Sequence, residues 1–211
     1  MTTRIFLAAA VVAMAAALPA QAPPTPPGGG ARDVKPLPLA AARKAVLKAT
    51  EGTWMSLDVS PDGKTIVFDL LGDLYTMPIA GGKATQLTGG MAFDAQPRFS
   101  PDGRKVVFIS DRSGGDNVWT MSLDRADSAQ LTQGNGNLFL SPDWSPDGQY
   151  VVVSRSGGLG GAARLQLLHV DKRSPMPLLP TGTLKTVGAA FSPDGRKVWY
   201  AARSGDWQYN A

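Results

Sequence analysis

The chain contains no cysteine, which excludes a disulfide framework, a thiol nucleophile and lipid attachment through an N-terminal cysteine. Histidine occurs once, at His169. A hydrolytic metal centre needs several imidazoles and carboxylates around one or two ions, and a lone imidazole cannot assemble it. No Gly-x-Ser-x-Gly stretch is present, so the strand-to-helix elbow of a serine hydrolase is missing too. Basic residues form no stripe: Lys and Arg are scattered among the Asp residues, the net charge is only +4, and nucleic acid is excluded as a partner.

Glycine and proline, by contrast, are plentiful at 24 and 17 residues, and they recur between short apolar runs, the composition of an all-β protein rich in turns. The first residues read as a cleaved secretory leader, 1–22. Arg4 supplies the positive start, Ile5 to Leu18 is apolar but short for a span, and small residues follow at Ala20 and Ala22, either of which fits as the cleavage position. Removal of the leader takes away one positive charge and leaves no membrane span. The expected location is therefore secreted, periplasmic or extracellular. Residues 23–42, beginning Pro23-Pro24-Thr25-Pro26-Pro27-Gly28-Gly29-Gly30, form a Pro/Gly linker that cannot bury apolar surface.

From there a tetrad repeats: Ser60-Pro61-Asp62-Gly63, Ser100-Pro101-Asp102-Gly103, Ser145-Pro146-Asp147-Gly148 and Ser192-Pro193-Asp194-Gly195. Proline presets φ at the second turn position, serine and aspartate bond nearby backbone, and glycine accepts the positive φ that closes a hairpin. The four aspartates are accordingly turn residues and not metal ligands. Each tetrad follows an apolar residue (Val59, Phe99, Trp144, Phe191) and precedes a run apolar on both faces (Ile66 to Phe68, Val106 to Phe108, Val151 to Val153, Val198 to Tyr200). Such a strand must be covered on both sides. Third strands follow at Leu74–Ile79, Val118–Leu123 and Leu165–Val170, with Tyr75, Met77 and Ile79 matching Trp119, Met121 and Leu123 on the drier face. Short fourth strands follow at Thr85–Thr88, Ala129–Thr132 and Pro177–Pro180. Four strands per ~40 to 50 residues, repeated, make the blades of a propeller. The expected fold is all-β, an incomplete β-propeller of about 3.5 four-stranded blades in an open arc over 43–211. Its blades fall near 54–90, 94–133, 139–181 and 187–211, and a strand at 43–50 is placed to complete a last blade.

The run Pro97 to Phe108, followed by Ser110-Asp111-Arg112, Asn117-Val118-Trp119 and Gln130-Leu131-Thr132, resembles one complete blade of the TolB-like propeller family. Glu51 to Gly63, leading into Asp69 to Tyr75, is similar to the first blade of the propeller that precedes the barrel in large secreted metal-dependent amidohydrolases. Gly205 to Ala211 resembles a mid-propeller segment of the same proteins. The resemblance implies a scaffold or substrate-gating module whose catalytic domain lies downstream in the same chain, so that the parent continues past Ala211 through further blades. Two alternatives stay open: a stand-alone TolB-like propeller that binds a periplasmic protein, and the propeller of a prolyl-oligopeptidase-like serine peptidase. TolB-like binding proteins carry an α/β domain ahead of the propeller, for which the stretch before Trp54 has no room.

No catalytic, cofactor-binding or metal-ligating residue is expected in this segment, and no cofactor. Three places come nearest to a site. His169 aligns with Pro78 and Ser122 on the wetter face of a third strand, a surface position. Gly158 to Ala163 matches the loose Gly-x-Gly-x-x-Ala dinucleotide fingerprint, but Arg164 to Val170 continues as a strand where the fingerprint needs a helix. Asp111 to Asn117 offers carboxylates and an amide in a glycine loop that could suit Ca²⁺, although its spacing is not that of an EF-hand and a capped hairpin tip explains it equally well.

Overall fold

The computed structural model describes residues 48–157, 163–179 and 185–203. The leader, the linker and most of the strand expected at 43–50 lie outside these; residues 48–50 are exposed and in no strand. Among the described residues every regular element is a strand, fourteen in all, and every pairing is antiparallel.

Each tetrad closes the hairpin between a first and a second strand. Blade one comprises β1 Leu57–Val59, β2 Thr65–Leu70, β3 Asp73–Pro78 and β4 Thr85–Gln86. Blade two comprises β5 Asp94–Phe99, β6 Lys105–Ser110, β7 Asn117–Ser122 and β8 Ser128–Gln130. Blade three comprises β9 Leu138–Trp144, β10 Tyr150–Ser156, β11 Arg164–His169 and β12 Pro175–Pro177. Of blade four, β13 Lys185–Phe191 and β14 Val198–Arg203 are described. In each four-stranded sheet spatial order follows chain order. First strands of neighbouring blades touch one another, whereas each fourth strand touches only its own third, so the first strand is innermost and the fourth is the rim. These open, unclosed sheets are those of an incomplete β-propeller.

The doubly apolar second strands explain the packing. Val106 and Phe108 point into the core shared with blade one, beside Val67 and Leu74, while Val107 and Ile109 point into the core shared with blade three, beside Val151 and Val153. Val152 faces the other way, towards Ala189 and Val198 of blade four. Phe99 and Trp144 are buried in these interfaces, as the repeat requires. At the two ends of the described arc, Trp199, the counterpart of Val107, is 64% exposed, and Leu57 on the far side of blade one is 53% exposed.

Two features differ from the sequence reading. In the third strands the recurrent buried position is Leu74, Val118 and Leu165, on the face opposite Tyr75 and Trp119, which are half-buried, and Ile79 is exposed. Leu74, Val118 and Leu165 stand at the start of their third strands, next to the hairpin from the second, and join the cores between blades. The fourth strand of blade three starts earlier than expected, because Pro175 pairs with Leu168 and Pro177 with Gln166.

Candidate interaction surface

The two ends of the arc are built from different turns. At one end lie the tetrad hairpins. In each, the serine hydroxyl donates to the aspartate two residues on, at 2.6 Å for Ser60 and Asp62, and accepts the amide of the residue five on, at 2.9 Å from Thr65. The aspartate also accepts the amide two residues beyond it, as Lys64 donates to Asp62 at 3.1 Å. These donors hold Asp62, Asp102, Asp147 and Asp194 below the ordinary carboxylate value, the serine hydroxyl contributing most. The tetrads also stack blade on blade. A Cβ built on Gly103 would stand 3.4 Å from Pro61, and one on Gly195 would stand 3.5 Å from Pro146. All four expected turn aspartates are thus occupied by the turn itself. Sequence reasoning missed a fifth copy in the hairpin after β7, where Ser122 donates to Asp124 at 2.6 Å and accepts the amide of Asp127 at 3.0 Å.

The inner strands carry a charged row. Asp58, Arg98 and Asp143 stand at the same place in successive blades, two residues before the tetrad serine, and all are half-buried. Each is tied across a blade boundary. Phe99 N–H donates to Asp58 at 2.8 Å, the Arg98 guanidinium donates to the Leu57 carbonyl at 2.6 Å, and Phe191 N–H donates to Asp143 at 2.8 Å. The Trp144 indole N–H donates to the Arg98 carbonyl at 3.2 Å. Burial raises the Asp143 carboxyl, the Phe191 amide and Arg98 opposing it. A bulge shapes this row: Gln96 (φ 55°), Ser141 (φ 53°) and Gly188 (φ 67°) each break the ladder in the first strand of their blade. Gln96 joins three blades, its amide N–H donating to Asp69 at 2.8 Å and its side-chain oxygen accepting from Ser141 at 2.7 Å.

The opposite end gathers the hairpins between second and third strands and the links between blades. Asp111 to Asn117 lies here and serves as a capped tip. Asp111 accepts the amide of Phe93 at 2.8 Å, and the Asn117 amide reaches Ser113, Gly115 and Gly134. Among the described residues no group of three potential metal ligands comes together. Arg112 clamps the buried Asp94 with both contacts at 2.7 Å, its guanidinium lying over the Phe108 and Trp119 rings. Beside this clamp, Leu71, Met91 and Phe93 are exposed. Leu71 takes a positive φ of 54° in the tight turn with Gly72.

His169 ends β11 half-buried, its Nδ1 accepting the amides of Asp171 at 3.2 Å and Lys172 at 3.3 Å, its ring edge-on to Tyr150. It caps a turn. Of the fingerprint-like stretch Gly158 to Ala163, only Ala163 is described, and the strand β11 follows it directly.

The profile of the TolB beta propeller domain matches residues 32–209. The chain belongs to the TolB beta propeller domain family. Among curated relatives, an uncharacterized protein of Agrobacterium fabrum is 37% identical over 156 residues, 67% of this chain and 52% of its own length. The Tol-Pal system protein TolB of Wolinella succinogenes is 29% identical over 164 residues, 74% of this chain and 38% of its own length. This TolB-type propeller thus spans about half or less of these relatives. Among solved structures, TolB from Acinetobacter baumannii superposes with a TM-score of 0.61 at 22% identity, over 71% of this chain and 38% of that one. Puromycin hydrolase superposes with a TM-score of 0.56 at 21% identity, over 72% of this chain and 25% of that one. Both likenesses are of fold.

Proposed function

We propose that this segment is the non-catalytic propeller module of a secreted, periplasmic or extracellular protein, a scaffold or substrate-gating surface for an amidohydrolase-type catalytic domain downstream in the same chain. The observation that carries the non-catalytic part is the commitment of its polar side chains. The repeat's serines and aspartates hold turns, and the inner charged row ties blade to blade. Leu71, Met91 and Phe93 form an exposed apolar end, suited to contact with another protein surface. Export rests on the leader-like start, Arg4 with Ile5 to Leu18. The hydrolase rests on the resemblance of Glu51 to Tyr75 and of Gly205 to Ala211.

A second reading is favoured by the kinship with the Tol-Pal system protein TolB: a propeller that works by binding a protein partner. Reading the gene beyond the codon for Ala211 separates the two. A His-x-His pair after a strand supports the amidohydrolase, and a purified full-length protein should then lose hydrolysis on chelation. Gly-x-Ser-x-Gly instead would make the module that of a serine peptidase, and a stop codon soon after a last blade would leave the binding propeller.

A further inference from the structure

Between blades two and three the rim opens into a cleft of about 390 Å³, within the ~300 to 1,000 Å³ of ligand sites. Arg155 and Arg173 line it, together with Gln130, Gln133, Gln166 and the buried Phe139; the Gln130 amide donates to Ser113 at 3.0 Å and keeps its carbonyl and second N–H. Both arginines are exposed, and among the described residues neither has a carboxylate within ion-pair distance. Among the described residues Arg155 donates through its Nε to Asn137 at 2.8 Å. The sequence holds little counter-charge here: 128–142, 148–170 and 172–193 contain no Asp or Glu, Asp143 and Asp147 are engaged by Phe191 and by the tetrad turn, and Asp171, two residues from Arg173, forms no ion pair among the described residues.

We propose that this cleft binds a short acidic peptide segment, its carboxylates on Arg155 and Arg173 and its backbone on the glutamine amides. Guanidinium forks match carboxylates in pairs and hold them more tightly than neutral donors do. Primary amides both donate and accept, so they pair with peptide N–H and C=O groups alike. A phosphate group offers acceptors only, which leaves the three amide carbonyls unmatched. Sugar rings are ordinarily held on an open aromatic face, and Phe139 is only 2% exposed. The site is separate from the apolar end around Phe93 and stands whether or not that end docks a protein.

Fluorescence anisotropy of labelled tetraglutamate with the full chain tests the proposal, with tetraglutamine and tetralysine as controls. Tetraglutamate should bind more tightly than either, and more weakly as salt rises. Arg155→Gln and Arg173→Gln should each weaken binding by about tenfold, whereas Arg104→Gln, an exposed arginine at the tetrad end, should not. Both cleft arginines are exposed, so melting temperatures should stay at the wild-type value. Equal binding of tetraglutamine, or an equal loss in the Arg104→Gln variant, would overturn the site. Displacement of tetraglutamate by glutarate or phosphate at comparable concentration would overturn the peptide and leave a free anion as the ligand.

Discussion

Ser100 is 4% exposed and bonds to both Asp102 and the amide of Lys105. Ser100→Ala removes the hydroxyl partner of that amide and of the Asp102 carboxylate, which keeps the Arg104 amide, and the loss of part-buried hydrogen bonds of this kind costs ~0.5 to 1.5 kcal/mol each. Urea unfolding should show the drop at unchanged slope. The depressed aspartates add a pH dependence whose sign is fixed. Their folded-state pKa lies below the ordinary 3.8, so the stability they contribute is present above that value and fades as pH falls through the lowered one. Stability should therefore decline below about pH 4, and the double variant Asp102→Asn, Asp147→Asn should show a flatter acid limb and lower stability at neutral pH. An unchanged acid limb would mean that the turn carboxylates do not titrate with folding. Gly103 tests the stacking of turns: it holds a φ of 69° and faces Pro61. Gly103→Ala should cost ~1 to 2 kcal/mol for the left-handed backbone, read as a lower melting temperature.

At the scale of the strand, burial in the cores between blades predicts where truncation hurts. Phe99 and Trp144, both 6% exposed, should each cost ~3 to 5 kcal/mol on conversion to Ala. Trp199→Ala, at a position 64% exposed, should cost far less in the same chain. Comparable losses at Trp144 and Trp199 would contradict the interface assignment. Strand positions of this kind were legible in the sequence, because the Ser-Pro-Asp-Gly tetrad pins the hairpin register and the apolar runs after it admit no exposed face. The bulge at Gln96 and Ser141 was not. Neither residue is one that a positive φ selects as strongly as glycine, and the hydrogen bonds that hold Gln96 reach Asp69 and Ser141, 27 and 45 residues away. The charged row of Asp58, Arg98 and Asp143 was hidden for a related reason. Its members differ in sign from blade to blade, so they present no repeat, and only the blade contacts reveal that each serves a neighbour.

For the whole molecule, the decisive quantity is how many faces of a blade are covered. Blades two and three are flanked on both sides, and their second strands are buried almost throughout. Of blade four the described part is a hairpin covered on one side, with Ala189 buried and Trp199 and Tyr200 open. In repeat architectures stability is close to a sum of unit and nearest-neighbour terms, and local opening follows the least-covered unit. Hydrogen exchange in the 211-residue chain should rank accordingly. The amides of Val107 and Val152 should exchange at the slowest rates, and those of β14 orders of magnitude faster. Disrupting the boundary between blades three and four with Asp143→Ala, which frees the Phe191 amide, should speed exchange in β13 and β14 while leaving β6 protected. Uniform acceleration across all blades would show instead that the arc unfolds as one cooperative unit, with the inner charged row coupling every blade to the next.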